Sequence, residues 1–433
     1  MILVYSHTVT PRVIYAMDLV FTTVLNIQYK LTDDLKEFEE YSLPKISYTT
    51  TTHLSRIAIA SHGLLFEQEV RPLWPNATEN YMDFPRFFIS DEKDFLGYDI
   101  FAMVFYFTTR YEEYIISEKD QHQRFQAESS IAFKYNCLHT PFLNAAISDF
   151  ALKLKHEFPS VNSIKRPFNF ISTIDIDNAF AYAHKGIVRN LGGFGKHMLS
   201  FKFSKILSRI RSNINDKKDP YNTFDKINGL SNQSQTALYY FALVGDHSTF
   251  DKNPDHKNKG FRKLLQSLSS RYEIGLHPSY ESYNDPNKIE IEKKRLEDIT
   301  GKKVTSARCH FLRVKLPETY RAFITAGIVD DYTMIYASQS GFRTGLCTPF
   351  PWFDLEKNKP TNLIIHTSVI MEGTLRDYNK LSPENAKSIA FLTMQEVKKY
   401  GGEFISIFHN DSFIASQKKW VEVYKMILKQ SKL

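Results

Sequence analysis

The chain reads as an α/β protein whose larger part is a mostly parallel sheet wrapped by helices. Three observations predict this. From residue 168 onward, short apolar runs alternate with stretches of helical periodicity. Runs such as FNFISTI (168–174) are continuous rather than alternating, as in strands buried on both faces. Four of the strand ends carry Asp, His or Arg, the residue types that α/β proteins gather at the carboxyl ends of their strands.

Residues 1–158 mix strand-like runs, ILVYS and RIAIAS, with helical ones. In the stretch 99–116, Phe101, Val104, Phe105, Thr108 and Ile115 fall near one helix face. This block reads as a smaller α/β or α+β domain without chemistry, and His53, His62 and His122 read as structural. A helical stretch over 142–158 leads into the turn-rich PSVNSIKRP (159–167), which starts the second domain, 159–433. There the elements run FNFISTI, a basic helix, ALYYFALVG, the FRKLLQSL helix, YEIGLH, a helix over 289–299 and VTSARCH. A helix at 320–326 follows, then IVDDY, NLIIHTSV, a helix over 383–400, EFISIFH and a last helix to Leu428.

The first candidate site is the pair Asp175 and Asp177, which ends the run FNFISTIDID. At D-x-D spacing the pleat turns both side chains to one face, where one carboxylate can hold a cation while the other takes a proton. The competing reading is a solvated loop whose aspartates cap the next helix. YEIGLH ends at His277, with Pro278 forcing the chain out of regular pairing. Alternation sets Arg308 and His310 on one face, and EFISIFHND delivers His409, Asn410 and Asp411 just past its apolar part.

Length and composition agree with two domains. The chain has 433 residues with 42% apolar content, so each part can bury its own core. No run approaches the roughly 20 apolar residues that cross a bilayer. The opening MILVYSHTVTPRVIYAMDLV lacks the features of a signal peptide and reads as a first strand and helix. Cys137, Cys309 and Cys347 are unclustered and make neither a disulfide framework nor a zinc-finger spacing, so a cytoplasmic location is expected. The net charge is +7, with a run of Lys and Arg from Lys185 to Arg211 that holds no acid. Over 193–214, Phe203, Ile206, Leu207, Ile210 and Ile214 take helical spacing with Lys202, Lys205 and Arg209 interleaved. We read this as a helix docked on its own domain with a solvated basic face; the alternative is peripheral contact with an anionic membrane. No nucleic-acid module accompanies the charge, so nucleic acid is not an expected partner, and nothing in the sequence sets an oligomeric state.

In order, the motifs are D-x-D, an H-P-S segment, R-C-H-F-L-R, G-F-R-T-G with C-T-P-F-P-W-F-D-L, and F-H-N-D-S. That succession resembles the polysaccharide deacetylase superfamily, which is the NodB-homology group of carbohydrate esterases. The likeness is to a Bacteroidetes-type branch with an extra N-terminal domain, since residues 98–127 also resemble that domain. The resemblance implies a distorted, incomplete (β/α) barrel of about seven strands with its site at the strands' carboxyl ends. It implies Asp175 as general base, Asp177 and His277 as metal ligands, Arg308 as the holder of the base, and His409 as general acid. Asp330 and Asp331 stand where that histidine's acidic partner is expected, and Asp331 is taken for the role. The family's second histidine, four residues after His277, is Glu281 here. The third ligand is then His310 or Glu281, and His310 is preferred because zinc favours imidazole.

Arg343 and Trp352 are implied as sugar-pocket residues, and His366 and Glu372 border a further strand-like run as candidate substrate contacts. The cofactor implied is a divalent metal, zinc first, with cobalt, nickel and manganese as alternatives. The reaction implied is hydrolysis of an N-acetyl group from an amino sugar or glycan precursor, nucleotide- or lipid-linked forms included. The rival readings are a hydrolase of a non-sugar C–N bond on the same scaffold and a non-catalytic glycan-binding protein.

Overall fold

Two sheets share one apolar core that runs from Ile2 to Leu428. The structure is a computed structural model and describes residues 1–432 except 43, 51–53, 82–83, 92–93 and 186–202. Near the N-terminus, β1 (Ile2–Ser6), β2 (Tyr29–Thr32), β3 (Lys45–Thr49) and β4 (Ala58–Ala60) form a parallel sheet in the order β2-β1-β3-β4. β5 (Ala77–Tyr81) and β6 (Phe84–Phe87) pair antiparallel beside it. The helix Ile100–Thr108 is buried at every position, as its nearly unbroken apolar sequence requires. The single helix predicted over 99–116 breaks at Arg110, which takes φ 55, and resumes as the turn Glu112–Ile115. The break has a cause: the Arg110 guanidinium is buried and bound by Glu112, Glu113 and the Tyr336 hydroxyl.

The second sheet contains β7 (Phe168–Ile176), β8 (Ala237–Ala242), β9 (Glu273–Leu276), β10 (Ser306–Ala307), β11 (Asp330–Asp331), β12 (Phe350–Asp354), β13 (Lys359–Ile365), β14 (Ile370–Met371) and β15 (Gly402–His409). Its nine strands run in the order β12-β13-β11-β10-β9-β8-β7-β15-β14, and β12 is antiparallel to its neighbour. The mostly parallel sheet is therefore as expected. The ladder stays open, ending at β12 and β14, and no closed barrel forms among the described residues.

The open sheet is nevertheless strongly curled. Arg308, just past β10, donates from Nη1 to Thr173 Oγ1 at 2.6 Å and Asp175 Oδ1 at 2.8 Å on β7. Those strands lie three places apart in the ladder, about 14 Å on a flat sheet, which one side chain cannot span. Likewise the Tyr332 ring, past β11, lies 5.4 Å from the Phe241 ring on β8. Register then does the aligning. His409 pairs with Asp175 across β15 and β7, and Leu276 pairs with Ala307, so His277 and Arg308 leave the sheet side by side.

Two expectations are corrected away from the site. The basic helix is present over Phe203–Ile214, while 193–202 lie outside the described residues. Its apolar positions Leu207, Ile210 and Ile214 are exposed and Ser212 is buried, so the helix does not dock through its apolar face. Its polar side turns inward because Arg209 lies over the Tyr182 ring, 4.7 Å from the centroid. No described helix is long and apolar enough to cross a membrane. His366 follows β13 directly, but its side chain turns back toward the start of β15: its Nδ1 meets Glu403 Oε2 at 2.7 Å and its Nε2 meets Asp330 Oδ1 at 3.1 Å.

Burial alone would lower the His366 pKa, but Asp330 and Glu403 lift it to about 9, with Tyr332 stacked on the ring and Tyr239 beyond. The folded value exceeds the unfolded one of about 6.5. Its contribution to stability is thus complete below about pH 6.5 and fades as pH rises through about 9. In chemical denaturation, His366→Gln should cost most near pH 6 and least near pH 10. A difference that does not change over that range would contradict the pairing.

Candidate metal centre

Parallel strands deliver the site residues to one end of the curled sheet. Asp175 is the penultimate residue of β7 and Asp177 follows the strand, His277 follows β9, Arg308 and His310 follow β10, and His409 closes β15. A cavity of about 300 Å³ opens there, lined by Asp175, Asp177, His277, His310, His409 and Phe311 among others. The D-x-D alternation holds, since both aspartates face this cavity.

Asp177 sits at the centre. His277 Nε2 lies 3.1 Å from its Oδ1, and His310 Nε2 and His409 Nε2 lie 3.5 Å and 3.7 Å from its Oδ2. One donor atom each from Asp177, His277 and His310 falls within 4.8 Å of the others. Both imidazoles have their Nδ1 atoms engaged, His277 with the Arg308 carbonyl oxygen and His310 with Asp251 Oδ1 at 2.8 Å. That engagement fixes the tautomer and turns both Nε2 atoms inward, the arrangement of metal-bound histidines. Asp177 Oδ1 is buried and accepts no hydrogen bond. A carboxylate and two imidazoles with a neighbouring open cavity fit a divalent cation that keeps one position for water. Burial would raise the Asp177 pKa, but the charges of His310 and His409 hold it well below the usual carboxylate range.

Glu281, the alternative ligand, is not brought to Asp177; it lies on the turn Tyr280–Tyr283 and accepts from Asn284 Nδ2 at 3.3 Å. The expected pairing of His409 with Asp330 or Asp331 is also absent. Glu372 stands in that place instead, with Oε1 at 2.8 Å from His409 Nδ1 and Ser412 Oγ donating to the same oxygen. Burial opposes a charge on His409, yet Glu372 and Asp177 raise its pKa well above the ordinary imidazole value. Asp331 is buried elsewhere, accepting from the Tyr320 hydroxyl at 2.6 Å and from Thr333.

Of the expected pocket residues, Trp352 is buried against Tyr320 in the core, with ring centroids 5.3 Å apart. Arg343 is buried and grips Glu113 through Nη2 at 2.7 Å. Phe311 was not foreseen. Held at φ 58, it lies at the cavity wall with its ring 4.7 Å from His310 and 5.3 Å from Tyr280.

Sequence reading also missed Asp251, in the loop after β8. It accepts from Tyr280 N at 2.9 Å and Ser248 Oγ at 2.8 Å while holding His310. The rule that flagged the other strand ends would have reached it, since its loop GDHSTFDKNPDH is rich in acids. Arg124 and Tyr378 were missed because they lie in the part read as having no chemistry and in a short helical turn, Thr374–Tyr378, without a motif; both line the cavity.

Comparison with known proteins gives little beyond this. Residues 2–159 match DUF7033, a family of unknown function. No curated protein matches. Among solved structures, one described as a polysaccharide deacetylase from Mycobacterium smegmatis is similar at 10% identity and a TM-score of 0.41, over 61% of this chain and 84% of that one. A polysaccharide deacetylase of Bacillus cereus aligns at 13% identity and 0.28, over 48% and 80%. At these scores the likeness carries no argument about activity.

Zinc affinity, measured by competition with a chromophoric chelator, should fall about 10- to 100-fold in Asp251→Asn. It should be lost in His310→Ala and kept in Glu281→Gln. Unchanged affinity in the first two variants would remove His310 from the centre.

Proposed function

We propose that the protein is a metal-dependent hydrolase that removes the N-acetyl group from an acetylated amino sugar, as the resemblance to polysaccharide deacetylases implies. The observation that carries the reading is the convergence of Asp177, His277 and His310 beside a separate acid–base pair, Asp175 and His409. His310 supplies the imidazole that Glu281 cannot, which weighs against a decayed metal site. A glycan-binding protein has no use for a histidine so strongly biased toward its charged form.

A divalent cation held by Asp177, His277 and His310, with zinc favoured over cobalt, nickel or manganese, would polarise the amide carbonyl and acidify a water. Asp175 is suited to take the water's proton. Its Oδ1 is fixed by Arg308 at 2.8 Å, and its Oδ2 accepts no hydrogen bond from the described residues. Arg308 acts as a positioning residue, since its guanidinium is wholly buried behind the carboxylate. His409, held by Glu372 and paired across the sheet with Asp175, would protonate the departing nitrogen as the C–N bond breaks. Phe311 offers a ring face of the kind on which sugars stack. A cavity of about 300 Å³ is at the low end for ligand sites, which suits a single sugar residue.

Acetate release from a panel of free, nucleotide-linked and lipid-linked N-acetylated sugars tests the reading. Asp175→Asn should keep zinc while turnover falls about 100- to 10,000-fold, the share that general-base catalysis supplies. Unchanged turnover on a substrate that the parent protein hydrolyses would exclude Asp175 as the base.

A further inference from the structure

We propose that the helix Phe203–Ile214 docks the protein on the surface of an anionic lipid bilayer, with its apolar side entering the headgroup region. The proposal does not rest on the hydrolase reading. Leu207, Ile210 and Ile214 are 48%, 45% and 81% exposed and recur at i, i+3 and i+7, so they form one stripe along the helix. The opposite side is spent on the protein itself. Ser212 is buried, its hydroxyl donating to the Ser208 carbonyl oxygen at 2.8 Å, and Arg209 lies over the Tyr182 ring. A helix that turns its polar side inward and three large aliphatic side chains outward presents a face that water does not favour.

The charge around the stripe selects its occupant. Arg211 joins the stripe, four residues after Leu207 and three before Ile214, so its aliphatic stem can lie along the apolar side chains while the guanidinium stays at the headgroups. Arg211, Lys217 and Lys218 are exposed, and the run from Lys185 to Arg211 holds no acid. The first acids beyond it are turned to the chain's own groups. Asp216 Oδ2 meets His184 Nε2 at 3.0 Å, and Asp219 accepts from the backbone amides of Ala181, Tyr182 and Ala183. An apolar stripe edged by cations is the pattern of a helix lying in a lipid interface, where insertion and attraction to anionic headgroups add. A second copy of the chain fits less well, because a two-fold contact would set these cations against their own copies. Three apolar side chains are also few for a stable protein interface, which takes about 20–30 residues a side.

The fold holds this helix at the end of the sheet where the candidate centre lies. It belongs to the segment between the carboxyl end of β7 and the helix Phe224–Ser234, which leads back to the start of β8. Asn410 Nδ2 ties both roots of that segment, donating to the carbonyl oxygens of Asn178 at 3.2 Å and Tyr221 at 2.9 Å. Asn178 and Asn410 also line the cavity of the candidate centre. A bilayer bound by the helix therefore meets the molecule at the cavity's end.

The experiment is co-sedimentation of the protein with vesicles of phosphatidylcholine alone, and of phosphatidylcholine and phosphatidylglycerol in equal parts. Binding should be at least about tenfold tighter to the anionic vesicles and should weaken as salt is added. A double variant, Leu207→Ser with Ile214→Ser, and a second, Arg211→Glu with Lys218→Glu, should each weaken binding to anionic vesicles about tenfold, with thermal stability unchanged. The proposal is overturned if neither vesicle binds, if neutral vesicles bind as well as anionic ones, or if binding survives both double variants. Self-association of the parent protein that the same variants abolish would give the face to a second copy and overturn it too. So would a fall in the thermal stability of the serine variant, which would show that the chain itself covers the stripe.

Discussion

The candidate site depends on one buried cation. Arg308 has no exposed surface and lies over the Phe241 ring at 4.5 Å. Taking a guanidinium out of water costs several kcal/mol unless its hydrogens are all met. Here four of the five are: Nε goes to the Tyr332 carbonyl oxygen, Nη1 to Thr173 and Asp175, and Nη2 to Ser368. Those partners belong to β7, to the residue after β11 and to the segment before β14, so satisfying one charge requires the sheet to curl. The same curl brings His277, His310 and His409 around Asp177. Removing one partner of such a buried pair costs about 3–5 kcal/mol, so position and stability are coupled here.

Much of this was legible because strands impose a period of two. Asp175 with Asp177, and Arg308 with His310, were put on common faces by alternation alone; the structure finds Asp175, Asp177 and His310 at one cavity, with Arg308 buried behind Asp175. The parallel sheet followed from continuous apolar runs. What alternation cannot supply is distance between strands far apart in sequence. Glu372 reaches His409 because β14 pairs with β15, a fact of topology that the resemblance, which offered Asp331 as the partner, did not supply. The basic helix misled for a related reason: amphipathic spacing shows that a helix has an apolar side, not that a groove exists to receive it.

The N-terminal part illustrates the same limit. No residue type in it announces chemistry; His122 meets the Tyr280 hydroxyl through Nδ1 at 3.1 Å, and His53 lies outside the described residues. Yet Arg110 and Glu113, within the stretch read as one helix, form a buried charge cluster with Arg343, and Arg124 reaches the cavity wall. A part matched only to a family of unknown function thus shapes the space beside the candidate centre.

The most direct test of the account is anomalous diffraction at the zinc edge from crystals grown with zinc and acetate. A single strong peak should lie among Asp177, His277 and His310, with acetate beside it and within hydrogen-bond reach of Asp175 and His409. A peak ligated by Glu281, or zinc found only at surface sites while this centre stays empty, would contradict the account.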